Sequence, residues 1–125
     1  MSRVLVTGAT GRVAGVIAER LAAEHEVVAV ARFSDPGARD RLERVGIECL
    51  TADLGTDDLR MVPDDMEILL NFAVSFSGDW DAALAVNAES LGLLVDRLPR
   101  LERLLHCSSM GVYAASSHTH DERAP

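Results

Sequence analysis

Two glycines near the start of the chain have a spacing that suits the binding of a phosphate group. Gly8 and Gly11 lie between a short apolar run, residues 4–6, and a stretch with helical periodicity. Between a strand and a helix, one such glycine allows a tight turn and the other lets backbone N–H groups approach the phosphates, toward which the helix dipole points. Ala14 and Gly15 let the helix pack closely on the strand, so the pattern predicts a site for a dinucleotide pyrophosphate. The expected contacts of this turn are Gly8, Thr10, Gly11, Arg12 and Val13.

The residue that reads the adenosine ribose should follow the second predicted strand. An acidic side chain about 20 residues beyond the glycines binds the 2′-hydroxyl of NAD. Counting from Gly11 leads to Ala31 and Arg32, where no carboxylate is present. Arg32 could pair with a 2′-phosphate in a charge-assisted contact of about 1.5–3 kcal/mol. We therefore expect NADP in preference to NAD, the alternative being a solvated arginine at a strand end.

Two further predicted strands end in residues that suit a cofactor. Asp53 and Leu54 end the third strand, where they could accept the adenine amine beside an apolar wall; a turn-forming aspartate is the alternative. Phe72, Ala73 and Val74 end the fourth strand, where small or flat side chains would let a cofactor lie against the sheet. Core packing explains these three residues equally well.

Hydroxyl groups follow the fifth predicted strand. Ser108 and Ser109 could hydrogen-bond a substrate carbonyl or alcohol, although two serines also suit a simple turn. Ser75 and Tyr113 are expected to line a substrate pocket. Asn87 is polar on an otherwise apolar helix face, so we expect its side chain to cap or bridge buried groups and to contribute to the cofactor site.

Other reactive side chains are better explained without chemistry. His118 and His120 have acidic neighbours in HTHDE but fall short of a metal ligand set, so no metal is predicted. Cys49 and Cys107 form no CxxC pair and lie in apolar, strand-like segments. We expect both to be buried, reduced thiols rather than a redox pair.

The elements that would position these residues alternate between strand and helix along the chain. Strands are predicted at residues 4–6, 25–32, 47–54, 66–75 and 101–109. Helices are predicted at residues 12–23, from Pro36 to a stop at Gly46, at 56–61 and at 81–98, with Asp35 and Asp79 as N-caps. This alternation predicts an α/β fold, a Rossmann-like parallel sheet of order 3-2-1-4-5 flanked by helices. The candidate residues then meet at the carboxyl ends of the strands.

Composition limits the class of protein and of partner. A chain of 125 residues has room for one domain, and its 48% hydrophobic and 26% charged residues are ordinary for a globular protein. The net charge of −8 argues against nucleic acid and anionic membranes as partners. No apolar run approaches the roughly 20 residues that span a bilayer, and no signal peptide is recognised. We therefore expect a cytoplasmic protein.

Over its whole length the chain resembles the extended short-chain dehydrogenase/reductase family of NAD(P)-dependent epimerases, dehydratases and reductases. VTGATGRVAG is similar to the family's TGxxGxxG, with Ala14 at the third glycine. TADL resembles the adenine-binding pair of aspartate and an apolar residue, which implies that role for Asp53 and Leu54. LLNFAVS resembles the fourth-strand motif of the family.

Two later motifs carry the same resemblance. VNAESLGLL is similar to the family's Asn-Val-x-Gly-Thr helix segment through Asn87, although Ser90 and Leu91 replace Gly-Thr. SSMGVY resembles Ser-Ser-x-x-Val-Tyr, whose second serine is catalytic, which implies that Ser109 is the catalytic residue.

One family feature is missing. The resemblance implies a Tyr-x-x-x-Lys pair about two dozen residues past the catalytic serine, but the chain has no lysine, and Tyr113 is followed four residues later by Ser117. We therefore expect residues 1–125 to be the N-terminal portion of an NAD(P)-binding Rossmann domain. The later strands, the Tyr-x-x-x-Lys segment and the substrate domain would lie outside it.

The resemblance implies an oxidoreductase or sugar epimerase/dehydratase that transfers hydride at a carbon bearing oxygen, with NADP favoured over NAD. The expected substrate is a small carbonyl, alcohol or nucleotide sugar, and a homodimer is expected for the full-length form. The 125-residue chain alone should be inactive. Two alternatives stay open, which are a nucleotide-sensing regulator of the atypical group and a truncated fragment without function.

Overall fold

Five parallel strands form one sheet in the order β3-β2-β1-β4-β5, as the sequence predicts. The computed structural model describes residues 1–109 and 112–124. The strands are β1 (Arg3–Thr7), β2 (Glu26–Ala31), β3 (Glu48–Thr51), β4 (Ile68–Asn71) and β5 (Arg103–His106). Chain order reverses between β1 and β4, so the crevice at a switch point opens between the carboxyl ends of these two strands.

Helices cover both faces of the sheet and begin where the capping residues predict. They are α1 (Arg12–Leu21), α2 (Pro36–Arg44), α3 (Trp80–Leu84) and α4 (Ser90–Arg97). The Asp35 carboxylate accepts from Gly37 N at 2.9 Å, and the Asp79 carboxylate accepts from Ala82 N at 2.8 Å. Both aspartates are therefore N-caps, as predicted for α2 and for the helix expected at residues 81–98. None of the helices within residues 1–109 and 112–124 is both long and apolar enough to cross a membrane.

Two helix predictions need correction. The predicted helix at residues 56–61 is a single 3₁₀ turn, Leu59–Met61, because Asp58 caps Arg60 N and Asp57 bonds Asp53 N in place of helical bonds. The predicted helix at 81–98 is not uniform either. Five residues between α3 and α4, Ala85–Glu89, are π-helical.

Apolar side chains alternate along the strands, so that two core clusters form on opposite faces. Leu5, Val28 and Leu69 pack toward Leu94 of α4, whereas Val4 and its alternating neighbours pack toward α1 and α2. β5 has one strand neighbour and exposed residues throughout, with Leu104 and Leu105 exposed by 46% and 50%.

The two cysteines differ because one lies on this edge. Cys49 is buried in the core as predicted, and burial raises the pKa of its thiol. Cys107 follows the edge strand β5 and is exposed, so the prediction that it is buried is wrong.

Candidate functional site

The turn after β1 needs glycine at position 8. Gly8 has a φ of +67°, and a Cβ added there would lie 2.8 Å from Ala73 N and from the carbonyl carbon of Phe72. A side chain is therefore disfavoured both by backbone conformation and by the end of β4. Gly8 N donates to Val30 O at 3.0 Å, and Gly11 N donates to Gly8 O at 2.9 Å, so the turn is fixed against β2.

The first turn of α1 has backbone donors that no side chain caps among the described residues. Gly11 is the N-cap, and within the described part of the chain it makes no side-chain cap bond and the first turn holds no acidic residue. The first intrahelical bond is from Gly15 N to Gly11 O, at 2.9 Å. The N–H groups of residues 12–14 therefore have no acceptor within the helix. Thr10 to Val13 are exposed. These donors, together with the helix dipole and the Arg12 guanidinium, make the turn suited to an anion.

The small residues Ala14 and Gly15 allow the close packing of α1 that the sequence predicts. Ala14 and Gly15 are buried on α1, and a Cβ on Gly15 would lie 3.1 Å from Ala9 O. The helix therefore lies close against the turn that precedes it, as close packing of helix and strand requires.

At the carboxyl end of β2, two arginines have different surroundings. Arg32 is exposed, whereas Arg39 of α2 lies with its guanidinium 5.7 Å from the centre of the Phe33 ring. Arg39 also bonds Glu43 at 2.7 Å, and it bonds the Thr51 hydroxyl at 3.0 Å. Arg39 is thus held in place by its own neighbours, which leaves Arg32 as the exposed cation directly after β2.

Asp53 forms a turn at the carboxyl end of β3. Its Oδ1 accepts from Gly55 N at 2.9 Å, and its own N–H donates to Asp57 Oδ2 at 2.7 Å. Leu54 is buried in the core. The turn-forming alternative is therefore present in the structure, and the adenine contact of Asp53 and Leu54 stays a prediction.

The loop after β4 is fastened to the π-helical segment by one side chain. Asn87 Oδ1 accepts from Ser75 N at 2.7 Å, and Asn87 Nδ2 donates to Ser75 O at 2.9 Å. Asn87 does bridge two elements as predicted, but it is exposed, so the bridged groups are not buried. Phe72 and Ala73 pack against the two core clusters, and Val74 is exposed.

The serine segment follows β5 directly. Ser108 and Ser109 are exposed, and Cys107 N donates to Asn71 O at 3.0 Å, which continues the strand ladder. Val112 N donates to Ser109 O at 3.2 Å. Two residues of the SSMGVY motif, at positions 110 and 111, lie outside the described residues.

Tyr113 is half-buried by a second ring. Its ring stacks on His120, with centroids 5.1 Å apart and an interplanar angle of 13°. Across residues 1–109 and 112–124, no cluster of three or more His, Cys, Asp or Glu side chains is placed to hold a metal ion.

A polar network across three strands was not predicted. Thr7 and Asn71 are buried at the carboxyl ends of β1 and β4, where the Thr7 hydroxyl bonds Asn71 Oδ1 at 2.6 Å. Asn71 Nδ2 lies 3.0 Å from His106 Nδ1, and Ala73 N donates to the Thr7 hydroxyl at 3.2 Å. The signal that could have revealed it is Asn71 itself, a polar residue inside the apolar run ILLNF.

Comparisons with known proteins identify a family and similar solved structures. The sequence profile of the NAD dependent epimerase/dehydratase family matches residues 4–125. A search of curated proteins gave no match.

Among solved structures, UDP-glucuronic acid 4-epimerase from Bacillus cereus in complex with NAD superposes with a TM-score of 0.81 at 21% identity, covering 98% of this chain and 45% of that one. UDP-glucose-4-epimerase from Stenotrophomonas maltophila with bound NAD gives a TM-score of 0.78 at 21% identity, over 99% of this chain and 42% of that one. A short-chain dehydrogenase/reductase from Serratia marcescens gives 0.77 at 20% identity, over 91% and 58%. The chain thus spans about half the length of the structures it matches, and at these identities the likeness establishes the fold.

Proposed function

The chain belongs to the NAD dependent epimerase/dehydratase family, and we propose that it is the dinucleotide-binding part of an enzyme that transfers hydride at a carbon bearing oxygen. The observation that carries the proposal is the glycine turn. Gly8 adopts a left-handed conformation where a Cβ would collide with Phe72 and Ala73, and α1 begins directly after this turn with no side-chain cap among the described residues. The chemistry of this donor set fits a pyrophosphate.

In this proposal, the residues of this chain bind and orient the dinucleotide. Gly8 and Gly11 allow backbone N–H groups to approach the phosphates, and Arg12 adds positive charge at the same helix end. Asp53 and Leu54 would contact the adenine, while the residues after β4 would lie along the cofactor. When bound, the nicotinamide ring supplies the hydride acceptor or donor.

We propose NADP as the preferred cofactor because Arg32 is an exposed cation directly after β2 and no carboxylate occupies that position. The test is a titration of NADPH and NADH, followed by nucleotide fluorescence, with wild type and Arg32→Asp. Loss of one charge-assisted contact of about 1.5–3 kcal/mol predicts NADPH binding about ten- to a hundredfold weaker, with little change for NADH.

The matched control is Arg44→Asp, which makes the same charge change in the last turn of α2. This variant should leave both affinities within about twofold, because exposed surface charges are largely screened at physiological salt. Equal NADPH binding by wild type and Arg32→Asp would contradict the assignment of NADP.

Ser109 is the proposed catalytic residue, with its hydroxyl donating a hydrogen bond to the oxygen of the reacting carbon. Ser75 and Tyr113 would line the substrate pocket. Because the epimerases that superpose on this chain are described with UDP sugars, nucleotide sugars are the first substrates to test. The chain has no lysine, so we propose that lysine-assisted proton transfer is supplied by residues outside these 125, in a cytoplasmic and homodimeric longer protein.

The second candidate is a nucleotide-sensing protein without catalysis, which would keep the same glycine turn. The two candidates differ in turnover. The longer protein, supplied with NADP⁺ or NADPH and a panel of UDP sugars and ketones, should convert at least one substrate if it is an enzyme. A reductase would oxidise NADPH, whereas an epimerase or dehydratase would change the sugar with no net change in the nucleotide. A protein that binds NADPH but leaves every substrate unchanged would be a sensor.

A further inference from the structure

The network of Thr7, Asn71 and His106 has one arrangement of protons that satisfies every buried group. Ala73 N–H is a fixed donor to the Thr7 hydroxyl oxygen. The hydroxyl must then place its own hydrogen on another acceptor, because Thr7 is fully buried and an unmade bond there is costly. Its neighbour at 2.6 Å is Asn71, at a distance typical of O–H···O and short for N–H···O.

This assignment fixes the orientation of the Asn71 amide. Oδ1 accepts from Thr7, so Nδ2 must face His106 Nδ1, 3.0 Å away. An amide N–H can only donate, so Nδ1 of His106 accepts and carries no hydrogen. The ring hydrogen of His106 is then on Nε2.

The same asparagine also holds the main chain of the serine segment. Asn71 O accepts from Cys107 N at 3.0 Å, one residue before Ser108. Asn71 therefore contacts β5 through both its backbone and its side chain, while its other end bonds the strand that leads into Gly8.

We propose that Asn71 is a positioning residue, which fixes His106 as the Nε2–H tautomer and holds the serine segment in register with the glycine turn. The tautomer stands whether or not the chain binds a dinucleotide. The relevance of this register to hydride transfer rests on the proposed function.

The deciding experiment is long-range ¹H–¹⁵N NMR of the histidine rings in the 125-residue chain without ligand. Wild type should show His106 as the Nε2–H tautomer. His25 is an internal reference, because its Nδ1 accepts from Ser2 N at 3.2 Å at the opposite end of the sheet. A His106 ring that carries its hydrogen on Nδ1 overturns the proposal without any variant.

Two variants extend the test. Asn71→Asp keeps the shape but replaces the amide donor with an acceptor, so His106 should shift to a form with hydrogen on Nδ1, whereas His25 should not change. Thr7→Ser keeps the hydroxyl and should keep the Nε2–H tautomer. A His106 spectrum that is identical in wild type and Asn71→Asp would refute the role of Asn71.

The register is measured separately, as amide hydrogen exchange at Cys107, whose N–H donates to Asn71 O. Asn71→Asp should accelerate exchange at this amide by tenfold or more relative to Ser2 at the opposite end of the sheet. NADPH titration of the same samples separates the two proposals. Failure of wild type to bind NADPH contradicts the proposed function alone, whereas unchanged exchange in the variant contradicts the positioning role alone.

Discussion

Polar groups at the two ends of the parallel sheet differ in how they are paired. At the amino end, Arg3 pairs with Glu26 at 3.1 Å and with Asp65, and Arg3 N donates to Glu67 at 2.9 Å. The Arg3 guanidinium is therefore paired with carboxylates of its own chain. Main-chain donors there are satisfied in the same way, since Ser2 N donates to His25.

At the carboxyl end, by contrast, polar groups are positioned but stay accessible. The α1 N-terminus has no side-chain cap among the described residues, and Ser108 and Ser109 are exposed. The buried bonds at this end, between Thr7 and Asn71, orient strand ends and neutralise no charge.

This difference implies that the amino end of the sheet contributes to stability and the carboxyl end to binding. Partners supplied by the chain stabilise the amino end, whereas the first-turn N–H groups of α1 have no side-chain cap among the described residues and are available to solvent or to a ligand. Substitutions at the amino end should therefore change the free energy of unfolding with little effect on nucleotide affinity. Those at the carboxyl end should change affinity, and they should change stability only where they disturb packing.

Gly8→Ala should have the largest effect, because it disturbs both properties. A left-handed backbone, and a distance of 2.8 Å from the added Cβ to the backbone of Phe72 and Ala73 directly after β4, together predict a loss of about 2–5 kcal/mol in the free energy of unfolding. Urea denaturation measures this loss, and nucleotide fluorescence should show no binding of NADPH.

Substitutions at two other glycines distinguish backbone strain from close contact as the cause of the loss. Gly46 has a φ of +83° with no atom near its added Cβ, so Gly46→Ala should show the strain alone, about 1–2 kcal/mol. Gly92 lies in α4 with open space around it, and Gly92→Ala should stabilise the chain by about 0.5–1 kcal/mol. If Gly8→Ala cost no more than Gly46→Ala, close approach to β4 would not be the reason for glycine at position 8.

The fold could be predicted from the sequence because its signals are local and repeated. Alternation of strands and helices implies parallel pairing, and right-handed crossovers leave few orders for five strands. Asp35 and Asp79 begin their helices as capping rules predict. Residues 56–61 misled the prediction because the aspartates there bond backbone N–H groups nearby, a competition that helical periodicity does not register.

The site was predictable only where the backbone determines it. Gly8 and Gly11 were found because a strand–turn–helix needs them, whereas the Asn71 network depends on partners 35 and 64 residues away in the chain. Exposure of Cys107 likewise depends on which strand lies at the edge, and its apolar flanks do not reveal this.

Asn87→Ala should have a smaller, local effect at the carboxyl end. Two hydrogen bonds to Ser75 are lost from an exposed site, which predicts about 1 kcal/mol of destabilisation. Amide exchange at Ser75 should accelerate more than exchange in β1. The matched control Asn87→Asp keeps the acceptor for Ser75 N but loses the donor to Ser75 O, so its effect should fall between those of wild type and Asn87→Ala.

Arg3→Met should give the smallest effect, and one confined to stability. The bond from Arg3 lowers the pKa of Asp65 below its usual value. A carboxylate with a lowered folded-state pKa stabilises the fold above its unfolded pKa, near 4, and this contribution disappears as the pH falls through the folded value. Urea midpoints measured between about pH 2 and pH 6 should therefore fall less steeply with acid in Arg3→Met than in wild type. Added salt should shrink the difference, because both partners are partly exposed. NADPH affinity at neutral pH should be the same in both proteins; a weaker affinity in Arg3→Met would mean that the two ends of the sheet are coupled.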